Sequence, residues 1–410
     1  MSREPASSEF RERLRTAAKV RDVDAFLTDV WQREARLLPQ LCGDLTTIID
    51  GDELAGLACE PHVESRLVLK EGEHYRMRQG PFSARDFSRL PAAGWTLLVQ
   101  DVDKHLPAAR EFLEGFNFVP RWRLDDLMVS FAAPGGGVGP HIDSYDVFLC
   151  QALGRRRWEL STAVDGDALC VDCELKVLRQ FEAEQRFELA PGDCLYLPAA
   201  VGHDGVAIDE CMTFSVGFRA VEAVELLSGG SLAAELSQAW LRRAPPLGRS
   251  GYVDGLVFSP PNPGELAEET LRRYRAQVRA LLELPAEELD GLIDASLARF
   301  LTEPKESQVL EPPEEAIDAS ELLARLAGGA RLRHHPASRW LLVRGGRGAA
   351  AYVSVDGELY ELGPESLTFG SCVTDQLALP MQIIHKEITH SRHLELVLEW
   401  VNRGQLVWAE

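Results

Sequence analysis

Gly139-Pro140-His141-Ile142-Asp143 and, further along, Leu197-Pro198-Ala199-Ala200-Val201-Gly202-His203 decide how this chain reads. On a β-strand, side chains two positions apart point to the same face. His141 and Asp143 can therefore reach one ion together, while Ile142 packs into the opposite layer. They follow the turn Pro134-Gly135-Gly136-Gly137-Val138-Gly139-Pro140, where missing side chains free the backbone for close approach. His203, delivered from a distant strand, completes a facial triad and leaves the other half of an octahedron open. Two histidines and one carboxylate with open positions are the pattern of non-haem Fe(II) oxygenases. The remaining histidines lack a carboxylate at strand spacing and read as structural or exposed.

His203 has its own context. Ala190-Pro191-Gly192-Asp193-Cys194-Leu195-Tyr196-Leu197-Pro198 reads as a turn, a strand and a second turn that delivers the imidazole. Such a run is common to double-stranded β-helix proteins; the plainer alternative is a strand ending in a surface histidine. A facial triad fills three coordination positions. A keto acid chelating through its carboxylate and keto oxygen takes two more, and dioxygen the last. The distal carboxylate of such a co-substrate, 2-oxoglutarate, wants a fixed cation in a dry pocket, preferably a bidentate one. Gly154-Arg155-Arg156-Arg157-Trp158-Glu159 offers it, because Arg156 and Trp158 share one strand face and Arg155 and Arg157 the other. The alternative for this run is a basic surface patch.

The chain of 410 residues is too long for one ordinary core, so two or three domains are expected. Lys and Arg number 43 against 64 Asp and Glu, a formal net charge of -21. That argues against nucleic acid as the main ligand, which wants a basic footprint. It suits a basic protein partner through complementary potentials, or serves solubility alone. Eight cysteines, spread thinly, make no disulfide framework, and the single Cys170-Val171-Asp172-Cys173 reads as an incidental loop. The first residues lack the apolar stretch of a signal peptide, and no run approaches a membrane span, so a cytoplasmic protein without membrane association is expected.

Asp22 to Leu41 has helical spacing of apolar positions. From Leu67 the signals become short and β-like: Arg66–Leu69, Trp95–Gln100, Leu127–Phe131, Tyr145–Leu149, Arg156–Leu160, Arg186–Leu189, Cys194–Leu197 and Met212–Phe218. Many short strands with Gly and Pro turns suggest a sandwich or barrel. After Val221 the chain turns to helical spacing at Leu226–Leu241, Pro263–Leu284 and Ala286–Phe300. Glu306–Glu315, with Pro312-Pro313, reads as a linker, and a small mixed α/β segment follows.

Leu127-Met128-Val129-Ser130-Phe131, the glycine turn through Asp143, Tyr145-Asp146-Val147-Phe148, Gly154-Arg155-Arg156-Arg157-Trp158 and Ser215-Val216-Gly217-Phe218-Arg219 together resemble the bacterial ribosomal oxygenases of the JmjC class. These belong to the cupin superfamily, and the resemblance is to their arginine hydroxylases of large-subunit ribosomal protein sixteen. It covers about residue 25 to 220 in motifs and is architectural beyond. It implies a mainly β catalytic domain, a double-stranded β-helix with N-terminal helices, over 1–220. An α-helical dimerisation region over 221–308 and a small α/β winged-helix domain over 316–410 would follow, in a homodimer. By the same resemblance His141, Asp143 and His203 bind Fe(II), and Arg156 holds the distal carboxylate of 2-oxoglutarate. Thr213 and Ser215 line the co-substrate pocket. The winged helix would contact protein rather than DNA.

A guanidinium entering such a pocket wants carboxylates and an aromatic or polar wall. Tyr145, Asp146 and Asp126 lie within a few residues of the metal strands and are the substrate-binding candidates, although Asp125 and Asp126 could equally cap the turn before their strand. The expected activity is hydroxylation of an arginine side chain of a basic ribosomal protein, with Fe(II), 2-oxoglutarate and O2 as the required partners. Alternatives are a histidine hydroxylase of another ribosomal protein, a lysine demethylase, a metal-binding cupin of another class and a non-catalytic binding module.

Overall fold

The computed structural model describes residues 6–219, without 73, 165–174 and 176, and then 223–228, 232–243, 285–305, 310–344, 351–375 and 391–409, with isolated positions between. Cys170 and Cys173, and most of the helix expected over 263–284, lie outside the described residues. The chain divides into two compact units, one built from Met1–Ala220 and one from Val221–Lys305 with Val309–Glu410.

The first unit carries twelve described strands: β1 (Arg36–Leu38), β2 (Ser65–Glu71), β3 (His74–Gln79), β4 (Trp95–Val99), β5 (Leu124–Ala132), β6 (His141–Ile142), β7 (Asp146–Leu153), β8 (Arg156–Ser161), β9 (Gln185–Leu189), β10 (Cys194–Leu197), β11 (Gly202–Ala207) and β12 (Cys211–Phe218). Eight form one antiparallel sheet in the order β1-β10-β7-β12-β5-β4-β2-β3; four form a second, β6-β11-β8-β9. Helices cover the outer face of the large sheet. Phe148, Tyr196, Phe214 and Phe218 point outward there and pack with Phe26, Trp31, Phe112 and Phe116. The inner face meets the small sheet, where Val147, Leu149, Leu195 and Leu197 pack with Trp158, Leu160 and Leu189. A sheet covered on both faces needs apolar residues at every position, not at alternate ones. That is why β7 and β12 are buried along nearly their whole length.

Helical spacing over Asp22–Leu41 is only partly realised. A helix runs over Val23–Asp29, capped by the Asp22 carboxylate on the Ala25 N–H at 2.8 Å. Residues 36–38 instead pair with Tyr196, Leu195 and Cys194 as the edge of the large sheet. The apolar positions of 36–41 serve the strand and the loop after it, and sheet pairing overrides local propensity.

In the second unit, Trp340–Val343, Ala351–Val355 and Glu358–Leu362 form a three-stranded antiparallel sheet, and Arg331–His334 pairs with Leu406–Ala409. Helices Ala319–Ala327, Leu367–Asp375 and Ser391–Asn402 enclose a core centred on Leu322, Phe369, Val397 and Trp400. Helix Ala286–Thr302 joins this sheet through Thr302 Oγ1 and Ser354 Oγ, 2.8 Å apart. Among the described residues, no helix is long and apolar enough to cross a membrane.

One buried polar network ties the helix layer to the large sheet. The Tyr196 hydroxyl donates to Asp146 Oδ1 at 2.8 Å and accepts the Gln32 N–H at 2.6 Å. Asp146 Oδ2 also receives Gln32 Nε2 at 3.0 Å and Arg123 Nη2 at 3.1 Å. Removing one partner of such a network strands the others, which costs about 1–3 kcal/mol. Tyr196→Phe is therefore expected to lower the unfolding free energy by about that amount in urea titration with an unchanged m-value; an unaltered midpoint would contradict the role assigned to the hydroxyl.

Candidate active site

β6 is two residues long and exists to pair with β11: Ile142 stands opposite Gly202, and His141 opposite His203. Directly opposed residues in an antiparallel ladder have neighbouring Cβ atoms, and the two imidazole centroids lie 4.2 Å apart. Asp143 follows immediately, with its Oδ1 3.8 Å from His141 Nε2 and its Oδ2 3.5 Å from His203 Nε2. Donor atoms of the three residues all fall within 4.8 Å of one another, the one such group among the described residues.

The chemistry of this donor set fits a divalent transition metal. Each imidazole turns Nδ1 to the carbonyl two residues before it: His141 to Gly139 O at 2.9 Å, His203 to Val201 O at 3.0 Å. A carbonyl only accepts, so Nδ1 carries the proton and the Nε2 lone pair is left facing Asp143. His203 is 3% exposed, and its burial, then the neighbouring His141, pull its pKa down to about 4. It is thus neutral and ligand-ready at physiological pH. The glycine turn makes the approach possible: a Cβ on Gly139, at φ +82, would meet the Tyr75 ring at 2.9 Å, and one on Gly136 would run into the Trp95 carbonyl.

The three residues open onto a cavity of about 440 Å³ between the sheets. Arg156 lines it from β8, 5% exposed, with its guanidinium 5.7 Å from the Trp158 ring centre. Nη1 reaches Ser130 Oγ at 3.5 Å, while Nε and Nη2 are enclosed without a partner. A buried guanidinium with unmet donors is costly unless an anion satisfies it. Those two N–H groups match the fork that a carboxylate fills bidentately.

Ser215 lines the same cavity from β12. Thr213, two positions along, does not line it; its hydroxyl donates to Gln151 Oε1 at 3.1 Å, fully buried. Tyr145 sits at the mouth, 39% exposed, and desolvation followed by the Asp143 and Asp126 carboxylates raises its phenol pKa. Asp126, 7% exposed, lines the cavity from β5. Asp146 does not: it is 1% exposed and its carboxylate belongs to the Tyr196–Gln32–Arg123 network on the opposite side of the sheet. The sequence placed it at the substrate by proximity in number, and strand alternation turns it the other way from Tyr145. Residues the sequence reading missed include Ser130, Arg66, Gln100 and Thr96, all on the cavity wall. Ser130 had a signal, a hydroxyl between the apolar Val129 and Phe131; Gln100 had none.

Residues 111–226 match the JmjC domain family, and residues 280–406 match the ROXA-like winged helix. The chain is 35% identical over 313 residues to the Escherichia coli ribosomal protein uL16 3-hydroxylase, spanning 74% of this chain and 80% of that one. It is 32% identical to a probable ribosomal oxygenase of Haemophilus influenzae over 62% of each chain. In three dimensions it is similar to the Escherichia coli ribosomal oxygenase solved in complex with cobalt and 2-oxoglutarate, with TM-score 0.74, 30% identity, and coverage of 95% of this chain and 98% of that one.

Purified protein is expected to take up one equivalent of Co(II) or Fe(II). His203→Ala and Asp143→Ala should each weaken Co(II) binding about a hundredfold or more in isothermal titration, at or beyond the upper range for losing a ligand's supporting partner. Unchanged affinity in both variants would place the ion elsewhere.

Proposed function

Because the chain belongs to the ribosomal oxygenases built on a JmjC domain, and is therefore a 2-oxoglutarate-dependent protein hydroxylase, we propose that its target is an arginine side chain of large-subunit ribosomal protein uL16. One observation carries the catalytic part of the reading: three metal donors and one buried guanidinium with unmet N–H groups line the same enclosed cavity. Either element alone would be ambiguous. Together they support a metal and an anion held side by side.

His141, Asp143 and His203 would hold Fe(II), and Arg156 the distal carboxylate of 2-oxoglutarate. When bound, Fe(II) with dioxygen and the keto acid supplies an oxidant strong enough to place one oxygen atom on an unactivated carbon, with succinate and carbon dioxide released. The protein's share is positioning. Arg156 fixes the far end of the co-substrate, and its buried setting strengthens that ion pair by excluding water. Ser130, already at Arg156 Nη1, and Ser215 line the same space. The carbonyls of Gly139 and Val201 keep both imidazoles in the tautomer that presents Nε2.

Substrate selection follows from the mouth. Asp126 supplies a carboxylate and Tyr145 an aromatic wall, the two features that receive a guanidinium by charge-assisted hydrogen bonds and ring contact. The net charge of -21 draws a basic ribosomal protein toward the enzyme before any specific contact forms. A cytoplasmic setting, where ribosomes assemble, fits this reading. The homodimer, with 221–308 as its contact region, is supported by the family resemblance; sedimentation at twice the mass of one chain tests it.

Incubated with Fe(II), 2-oxoglutarate and a uL16-derived peptide, the protein should add one oxygen atom to an arginine, seen by tandem mass spectrometry, with stoichiometric succinate. Arg156→Ala should raise the KM for 2-oxoglutarate about a hundredfold, the order expected for a lost buried charge pair. An unmodified peptide alongside intact Co(II) uptake would remove the arginine assignment, and a normal keto-acid requirement in Arg156→Ala would remove the role given to that residue.

A further inference from the structure

We propose that an apolar wall of the cavity is a subsite for the substrate chain: it receives a leucine- or methionine-sized side chain from a residue within two positions of the target arginine. This deepens the reading given above and rests on it, because the position is counted from that arginine. Val68, Met77, Leu98, Met128 and Val138 line this part of the cavity. They come from β2, β3, β4, β5 and the glycine turn before β6.

Register sets them side by side. Val68 pairs with Met77 on β3 and with Thr96 on β4, and Leu98 pairs with Ser130 on β5. Asp126, Met128 and Ser130 alternate along β5 and all line the cavity. Met128 thus stands between the mouth and the hydroxyl that meets Arg156. Elsewhere the inner face is spent on packing, where Val147, Leu149, Leu195 and Leu197 close on the small sheet. The wall forms a small cluster apart from that one and from the core under the helices. Met77, Met128 and Val138 are only half-buried in it, so apolar surface is left bare inside the cavity. Covering such surface is favourable.

Neither of the ligands already assigned suits it. The keto acid is charged at both ends and is drawn to the metal donors and Arg156. The target side chain ends in a cation, which a wall of aliphatic carbons and thioethers does not solvate. A second side chain of the same peptide fits. Successive Cα atoms are about 3.8 Å apart, so a neighbour enters with the target and meets a wall continuous with the target's own channel. Methionine linings adapt to side chains of unlike shape, as recognition surfaces do. The wall also holds one unfinished contact. Thr96 Oγ1, on a residue 1% exposed, has no partner. A hydroxyl so placed is satisfied when an occupant brings an acceptor, such as a thioether or a peptide carbonyl.

The test uses full-length protein with Fe(II), saturating 2-oxoglutarate and uL16-derived peptides containing the target arginine. In these, each of the two residues on either side is set in turn to Ala, Leu, Met or Asp, and hydroxylation is followed by mass spectrometry. At one of these positions Leu or Met should lower the peptide KM about tenfold relative to Ala, as burial of such a side chain does. Asp there should raise it, and kcat should stay within twofold. Val68→Phe fills the wall: the Ala peptide should keep its KM within twofold, and the advantage of Leu and Met should fall below twofold. Met77→Phe takes its place if Val68→Phe does not fold and take up Co(II). Equal KM for Ala, Leu and Met at every position overturns the subsite, leaves the arginine assignment standing and returns the wall to the methylenes of the target itself. An advantage that survives filling overturns it too, and a raised KM for O2 in that variant marks the wall as a path for the gas. Absence of hydroxylation in every peptide, with Co(II) uptake intact, removes the arginine reading and this inference with it.

Discussion

Two rungs of antiparallel pairing, Ile142 with Gly202 and His141 with His203, are what the active site depends on. They join segments far apart in sequence, and they set two imidazoles 4.2 Å apart before any metal arrives. A ladder of two residues has little stability of its own. It is held because β11 pairs along its whole length with β8, and because the glycine turn before His141 hydrogen-bonds to the same strand, Gly135 N–H to the Ala207 carbonyl and Ala207 N–H to that of Gly136. Pre-organisation of this sort means that the proposed ligands would be ordered at the cost of folding rather than of metal binding.

The same strand that places His203 also positions the anion site. β8 runs beside β11, so Arg156 and Trp158 on β8 face the interior that His203 faces. Gly205 has to be glycine for this: a Cβ there would stand 2.5 Å from the Trp158 ring. Metal donors and guanidinium are thus parts of one rigid sheet, and their separation is fixed by register rather than by loops. A register slip of one residue would turn all of them outward together. The apolar residues inside, Val147, Leu149, Leu160 and Leu195, resist such a slip because it would expose them at the same time.

Much of this was legible in the sequence because strand parity is a strict rule. His141 and Asp143 share a face, as do Arg156 and Trp158, and the residues alone say so. The barrel strands announced themselves through apolar runs between Gly and Pro turns. Helical spacing over Asp22–Leu41 over-runs the true helix end because residues 36–38 are spent on an edge strand whose partner lies more than a hundred residues away, which no local pattern encodes. Asp146 was misjudged for a related reason. It stands next to Tyr145, but the rung pairing it with Phe218 starts β7 in the phase that sends its side chain into the helix layer. Parity predicts that neighbours diverge; it does not say which of the two faces the cavity until a partner strand is known. Gln100 gave no signal because its contacts, Arg66 and Asp126, come from other strands.

The cavity also resolves a conflict in charge. Under the proposed function, one cavity takes up an anion, the keto acid, and admits a cation, the substrate side chain. Water weakens the interaction of opposite charges, and its exclusion strengthens both the wanted and the unwanted pairings. The protein separates them by sheet and by bonding. Arg156 lies on the small sheet with its donors held away from any resident carboxylate, since Nη1 meets only the Ser130 hydroxyl. Arg66 lies across the cavity on the large sheet and is engaged by a neutral amide. The Arg156 guanidinium therefore faces the interior with Nε and Nη2 still able to take an external anion. Had a resident carboxylate filled this guanidinium, the interior would be more stable and would leave no place for an external anion; the proposed co-substrate site follows from leaving that pair unmade.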